Sequence, residues 1–321
     1  MSQAKKQHYV PKFYLKNFSI NSNRKTIQCL DKVNLRSHIS NFKVIAQEEK
    51  FNESDSQDIE DNLSKIENDA SKLINNFLDN PKYKRLNSEP FKLKLAYFIL
   101  IQLIRTKEVR NRPIDGINSL KSYMSNKHDL KDSEIKKFNQ LLNKDEIKEA
   151  HLDFIQDDNL DLLEGIFCKK WILLKNQTSM NFWTSDNPVV KYNPYGNLGL
   201  IIEGIQLFFP LSPKFSLCIL DPFCYSNFKE YKEFDILDGF NNIKKAGLSK
   251  ITDINDVKFV NSLQIKYSTE YVFSCENEFE ENGKIKQWIC DVIEESSNES
   301  KVKTEEVKTN LDGKLFRQHY S

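Results

Sequence analysis

Phe182-Trp183-Thr184-Ser185-Asp186-Asn187-Pro188-Val189-Val190 brings apolar, hydroxyl, carboxylate, amide and turn chemistry into nine positions. Apolar sequence enters it at Phe182-Trp183 and leaves it at Val189-Val190, so it reads as extended chain interrupted by a turn. Upstream, Trp171-Ile172-Leu173-Leu174 is a short continuous apolar run, which marks a strand buried on both faces. Asn176-Gln177-Thr178-Ser179 supplies a turn, and Phe182-Trp183-Thr184 is expected to return as the hairpin partner of 171–174.

Further downstream, Asn193-Pro194-Tyr195-Gly196-Asn197 has the composition of a loop. Residues 200–209 and 215–220 read as two strands, and Pro210-Leu211-Ser212-Pro213 as the hairpin corner between them. Ile254, Val257, Val260, Leu263 and Tyr267 recur at helical spacing, with Asp253 able to cap. Tyr271-Val272-Phe273 and residues 285–293 are expected as edge strands. Residues 294–321 are polar and expected to form a flexible C-terminal tail, with Leu315 and Phe316 able to dock back.

Upstream of Trp171 the period changes from two to three and four. Ile59, Leu63, Ile66, Ala70, Leu73 and Phe77 define an amphipathic helix, with Asp55 or Ser56 as cap and Asn80-Pro81 as its end. Ser88-Glu89-Pro90 opens a second helix whose body is apolar on most sides between Leu93 and Ile104, the pattern of a central buried helix. Shorter helices are expected at 114–124, 133–142 and 145–167, the last broken near Asp157-Asp158-Asn159. At the N-terminus Pro11 holds Val10 extended, and Phe13, Tyr14, Leu15 and Phe18 form one apolar face of a short helix. Residues 26–31 alternate as a strand, and 39–45 form a weaker extended piece. The fold class is α+β: a helical region at about 56–168 packed beside a mostly antiparallel sheet that the N-terminal strand joins. Residues 1–293 form one discontinuous domain, its β-rich part being about 171–293 plus 8–31.

The 321 residues are 39% hydrophobic, enough for a sizeable core, and the net charge of +1 carries no global nucleic-acid or membrane signature. The six Cys form no C-x-x-C pair, which reads as reduced thiols and a cytoplasmic location. The start has the makeup of no signal peptide, and the apolar run 95–104 is too short to span a bilayer.

His8-Tyr9-Val10-Pro11 with Phe13-Tyr14-Leu15 and Asn17-Phe18, the run Ala96-Tyr97-Phe98-Ile99 leading to Arg105-Thr106, Phe182-x-Thr184-Ser185-Asp186-Asn187-Pro188-Val189, and Phe209-Pro210-Leu211-Ser212-Pro213 occur in this order. So does a late block from Val260-Asn261 to Tyr271-Val272. Together they resemble the microbial domain-of-unknown-function family 4238 over about residues 7–274. The resemblance implies an intact family fold and supplies no reaction. Family members often carry two adjacent His at the start; here Gln7 stands in the first place, so a metal ligand there would be missing.

Asp186, at a strand end before Pro188, is the first candidate for a catalytic carboxylate; the same four residues also make an ordinary Asx turn. His8 suits acid, base or ligand chemistry at neutral pH, or a structural anchor of the N-terminal segment. Arg105 ends an apolar helix and must pair or hold an anion, with Asp186 or Glu108 as the structural partner. Tyr14, Ser185 and Asn187 complete the set as substrate-binding candidates. No metal-ligand spacing, P-loop or G-x-G-x-x-G occurs. No cofactor is identified, and Mg²⁺ stays open because it needs only one or two carboxylates beside substrate phosphates. Lys5, Lys6, Lys12 and Lys16 around His8 suggest an anionic ligand or nucleic acid as partner.

Two readings follow, and whether the protein is an enzyme is open between them. In one, a cytosolic enzyme acts on a phosphate-containing or nucleic-acid substrate through Asp186, His8 and Arg105. A host-defence setting would suit it, though no residue carries that. In the other, a noncatalytic ligand-binding or protein-interaction protein uses the same residues structurally.

Overall fold

The computed structural model describes residues 6–20, 25–49, 51, 58–127, 129–157, 159–222, 224 and 246–298, and the backbone of 302–308 and 314–320. The proposed caps Asp55 and Ser56 lie outside the described residues.

The chain opens with β1 (Lys6–His8), a short helix α1 (Lys12–Leu15) continued by a 3₁₀ turn (Lys16–Phe18), and three strands, β2 (Thr26–Asp31), β3 (Arg36–Asn41) and β4 (Gln47–Glu49). The helical region follows: α2 (Asp58–Asp79), α3 (Glu89–Ile104), α4 (Lys107–Lys127), α5 (Asp132–Leu141), α6 (Lys144–Gln156) and α7 (Leu160–Phe167). Then come β5 (Lys170–Asn176), β6 (Thr184–Ser185), β7 (Val190–Tyr192), β8 (Gln206–Ser212), β9 (Phe215–Leu220) and β10 (Gly247–Ile251). Helix α8 (Ile254–Tyr267), β11 (Tyr271–Ser274), the small β12 (Glu280–Glu281) and β13 (Lys284–Ile285), and helix α9 (Gln287–Asn298) complete the body. The strands β14 (Val302–Lys308) and β15 (Lys314–Tyr320) pair antiparallel with each other.

The fold is α+β, with two main sheets. One is five-stranded in the order β10-β5-β9-β8-β7, antiparallel except for the β10–β5 pair. The other is four-stranded, β3-β2-β11-β6, and antiparallel throughout, so the N-terminal strand β2 pairs with β11 as well as with β3. β1 pairs with β4.

The alternation along β5 explains its continuous apolar run. Trp171 and Leu173 face a core built with α3, while Ile172 and Leu174 face a second core containing Val257, Val260 and Leu263 of α8. The five-stranded sheet is thus covered on both faces. Helix α3 is buried almost all round, as its apolar sequence requires.

Several expectations are corrected. Residues 182–184 do not pair with 171–174. Both edges of β5 are taken by β9 and β10, so the chain crosses to the other sheet, where Thr184 and Ser185 pair with β11. Asn176 makes that departure tight: its side-chain amide donates to the Met180 carbonyl at 2.6 Å. β11 is interior to its sheet, between β2 and β6, and not an edge. Residues 287–298 are helical; Trp288, Ile289, Val292 and Ile293 fall on one helical face and pack into a core with Trp183 and Phe279. Helix α4 runs through Pro113, which deprives the Val109 carbonyl of its usual donor. Pro210 lies inside β8, at a bulge between Pro210 and Ser212, where a missing N–H is tolerated. The break near Asp157 falls as expected, and Asn159 there adopts a left-handed φ of 45°. Among the described residues no helix is long and apolar enough to cross a membrane.

Candidate functional site

Strand β6 ends at Ser185, and the turn that follows packs against the junction of α8 and β11. Asp186 is sealed from solvent, and its carboxylate accepts three successive backbone amides: Thr269 at 2.7 Å, Glu270 at 2.7 Å and Tyr271 at 3.1 Å. Its own amide donates to the Tyr271 carbonyl at 3.0 Å. Burial pushes its pKa above the ordinary carboxylate value, against the pull of those amides and of Lys32.

The neighbouring residues are held by α8. Ser185 Oγ lies 2.7 Å from Gln264 Oε1 and 2.9 Å from the Asn187 carbonyl, and accepts the Asn187 N–H at 3.2 Å. Gln264 donates to the Pro188 carbonyl at 3.1 Å, and Asn187 Nδ2 to the Tyr267 carbonyl at 3.0 Å. One turn earlier, Asn261 Oδ1 accepts the Trp183 N–H at 2.9 Å and its amide donates to the Asn181 carbonyl at 2.9 Å. Asn261 and Gln264, three apart and fully buried, are the polar pair on an otherwise apolar helix face. That spacing was readable in the sequence as a sign of a buried network.

Arg105 caps the C-terminus of α3 and is 1% exposed. Its Nε donates to the Tyr9 carbonyl at 2.8 Å, Nη2 to the His8 carbonyl at 3.0 Å and Nη1 to Glu67 at 2.7 Å. Its partners are therefore Glu67 and the N-terminal backbone, in place of the expected Asp186 or Glu108. Tyr14 is fully buried; its hydroxyl donates to the Pro210 carbonyl at 2.6 Å and sits 2.7 Å from Thr184 Oγ1. Its ring stacks on Phe209 at 5.1 Å. The His8 ring has a buried Nε2 with no partner among the described residues. Burial, with Lys12 nearby, lowers its pKa to about 4, so it is neutral at pH 7.

Arg105 bonds the N-terminal segment, whereas Ser185, Asp186 and Asn187 bond α8 and the 269–271 junction. Among the described residues no hydrogen bond joins the side chains of His8, Arg105 and Asp186 to one another. No three His, Cys, Asp or Glu side chains come together as a metal would need, again among the described residues.

A cleft opens on the other side of the same turn. Asn187 and Val189 line it, with Leu103 of α3, Glu108 and Arg112 of α4, Lys191 of β7, Leu198 and Tyr267. It is small: the cavity volume is about 10 Å³, room for about one water. Glu108 holds Arg112 through two bonds, Nε at 3.1 Å and Nη2 at 2.9 Å. Of the substrate-binding candidates only Asn187 lines this cleft; Ser185 and Tyr14 are closed off from solvent. The sequence reading missed Arg112 and Lys191. The Glu108–Arg112 spacing of four signals the ion pair, whereas nothing local marks Lys191 as its neighbour.

The architecture is that of an α+β protein with a buried polar clip and a separate small cleft lined by Glu108, Arg112 and Lys191. The chain belongs to the family described as Protein of unknown function (DUF4238), whose profile matches residues 6–278. No curated protein and no solved structure matches it.

Proposed function

We propose that this chain is a noncatalytic ligand-binding protein in which Asp186, Arg105, Tyr14 and Ser185 are scaffold. They clip the N-terminal segment and the α8–β11 junction onto the sheets beside the helical region. The observation that carries this reading is the Asp186 carboxylate, which is solvent-free and already occupied by three amides. A general base needs a free lone pair within reach of substrate; three of this carboxylate's roughly four acceptor positions are filled, and burial closes it off from solvent.

The test is Asp186→Asn. One amide nitrogen would then face backbone donors, at a cost of about 3 kcal/mol. The scaffold reading expects a marked fall in melting temperature. Unchanged stability would overturn it in favour of a functional carboxylate.

The enzyme reading, with a phosphate-containing or nucleic-acid substrate, draws support from one place only. That is the cleft, where Lys191 and Arg112 stand beside Glu108.

A further inference from the structure

We propose that the outer edge of β3 pairs with an extended acidic segment of a partner protein, which adds a strand to the four-stranded sheet. This rests on the noncatalytic reading above and names what is bound.

The free backbone groups come first. β3 ends the sheet order β3-β2-β11-β6, and its register with β2 runs unbroken from Asp31↔Arg36 to Thr26↔Asn41. Lys32 donates its amide to the Glu270 carbonyl at 3.0 Å, and the Thr26 carbonyl accepts the Ile20 amide at 2.9 Å. Both groups therefore point away from β3. In an antiparallel pair the N–H and C=O of one residue point to the same side, and the side alternates along the strand. Asp31, Cys29 and Ile27 are then the β2 residues that bond β3, through Arg36, His38 and Ser40. That leaves Ser37, Ile39 and Asn41 facing outward. The Asn41 carbonyl is used within its own turn by the Val44 amide at 3.0 Å. The other outward groups are the N–H and C=O of Ser37 and Ile39 and the N–H of Asn41. Among the described residues none of these has a partner.

Natural sheets close such edges with Lys, Pro, a bulge or short length. Between Ser37 and Asn41 there is no Lys, Pro or bulge. The other edge strands are protected: β6 and β7 are two and three residues long, and β10 carries Lys250. Ile39 stands near the middle of β3 and is 62% exposed. An apolar side chain on an added strand would cover it.

Charge selects the occupant. Lys25 precedes the Thr26↔Asn41 pair, Lys43 donates its amide to Asn41 Oδ1 at 2.9 Å, and the Lys16 amine lies 5.9 Å from the centre of the Phe42 ring. All three lysines are exposed, and none has an ion pair among the described residues. Asp31 is the only carboxylate between residues 6 and 46, and it already holds Arg36 at the opposite end of β3. Carboxylates on an added strand are therefore drawn to the Asn41 end. A second copy of the chain fits less well. Two-fold pairing of the outward groups would centre on Ile39 and set Arg36 of each copy beside Lys43 of the other.

The probe is the fluorescein-labelled peptide Glu-Val-Glu-Val-Glu-Val-Glu, whose like charges keep it from pairing with itself. Its binding to the full chain is followed by anisotropy at pH 7 and mapped by amide hydrogen exchange. The expected result is saturable binding, at least roughly tenfold tighter than for the peptide with Lys in place of Glu, and weakened by salt. Exchange should slow at the amides of Ser37, Ile39 and Asn41. Ile39→Pro removes an outward N–H and leaves the β2 ladder intact, so it should keep the melting temperature and lose binding by roughly tenfold. Lys43→Glu leaves the strand as it is and should weaken binding roughly fivefold. That second variant keeps the test sharp if the first is misfolded. Absence of saturable binding, equal binding of the Lys peptide, undiminished binding by folded Ile39→Pro, or protection confined to other segments would each overturn the proposal. So would an oligonucleotide of deoxythymidine that binds more tightly and protects the same amides, or dimerisation of the chain alone that Ile39→Pro abolishes. Failure here leaves the Asp186→Asn result untouched, so the two readings fall separately.

Discussion

Arg105 shows how one buried cation organises a local structure. A guanidinium has planar N–H groups fixed in direction, and here three of its nitrogens each meet a different acceptor: two carbonyls on the N-terminal segment and Glu67 on α2. A lysine carries the same charge on one nitrogen and cannot span that triangle. Arg105→Lys is expected to cost about 3 kcal/mol, read as a lower urea midpoint, and to speed proteolysis of the N-terminal segment. The exposed pair Lys94–Asp69, 3.4 Å apart, is the contrast: Lys94→Ala should change the midpoint by less than about 1 kcal/mol. A similar loss in both variants would show that burial is not what gives Arg105 its weight.

Among elements, α8 is the one that ties the molecule together. Its apolar face packs on the five-stranded sheet, its buried Asn261 and Gln264 hold the 181–188 stretch, and its last turn feeds the junction clamped by Asp186. Its C-terminal carbonyls meet a cation from the turn after β2. Lys32 Nζ donates to the Ile265 carbonyl at 3.0 Å and the Ser268 carbonyl at 2.6 Å. A cation at a helix C-terminus satisfies carbonyls that have no partner within the helix and opposes the dipole. Lys32→Met should therefore destabilise the protein by about 1–2 kcal/mol. Hydrogen exchange should quicken first at the amides of Thr269 and Glu270. Exchange unchanged there would mean that Asp186 alone holds the junction.

At the scale of the whole molecule, the N-terminal segment and the helical region meet at Phe51. Tyr9 packs on its ring at 5.1 Å, His151 meets it edge-on at 6.2 Å and the Arg110 guanidinium lies 3.4 Å above it. His8 and His151 each have a pKa lowered from 6.5 to about 4, chiefly by burial. Below pH 6.5 the unfolded chain takes up protons that the folded chain refuses. Stability therefore falls as pH drops from about 6.5 to about 4 and levels off below that window. The loss is at most about 3 kcal/mol per histidine. Urea midpoints measured between pH 7 and 4 should show this slope. His151→Gln should flatten it, and an unchanged slope would place the acid sensitivity elsewhere.

Much of the fold was written locally. Period-three-and-four apolar spacing marks α2, the all-round apolar run marks α3 as central, and the run 171–174 marks a strand covered on both faces. Asp253 acts as the cap its position suggested, its side chain accepting the Asn255 amide at 2.8 Å. These signals survive because side-chain period and burial are set residue by residue. Partner choice is not. Residues 182–184 went to the second sheet because β5 had no free edge, and 287–298 became a helix whose face fits Trp183. The same holds for the candidate site. Ser185-Asp186-Asn187-Pro188 was legible as a turn, but that its carboxylate clamps residues 269–271 depends on contacts more than 80 positions away. Lys191 and Arg112 sit on a strand and a helix, and only packing sets them in one cleft. The sequence alone determined the elements and the chemistry available on each. The tertiary structure decided which charges meet, because that depends on distances that local periodicity does not encode.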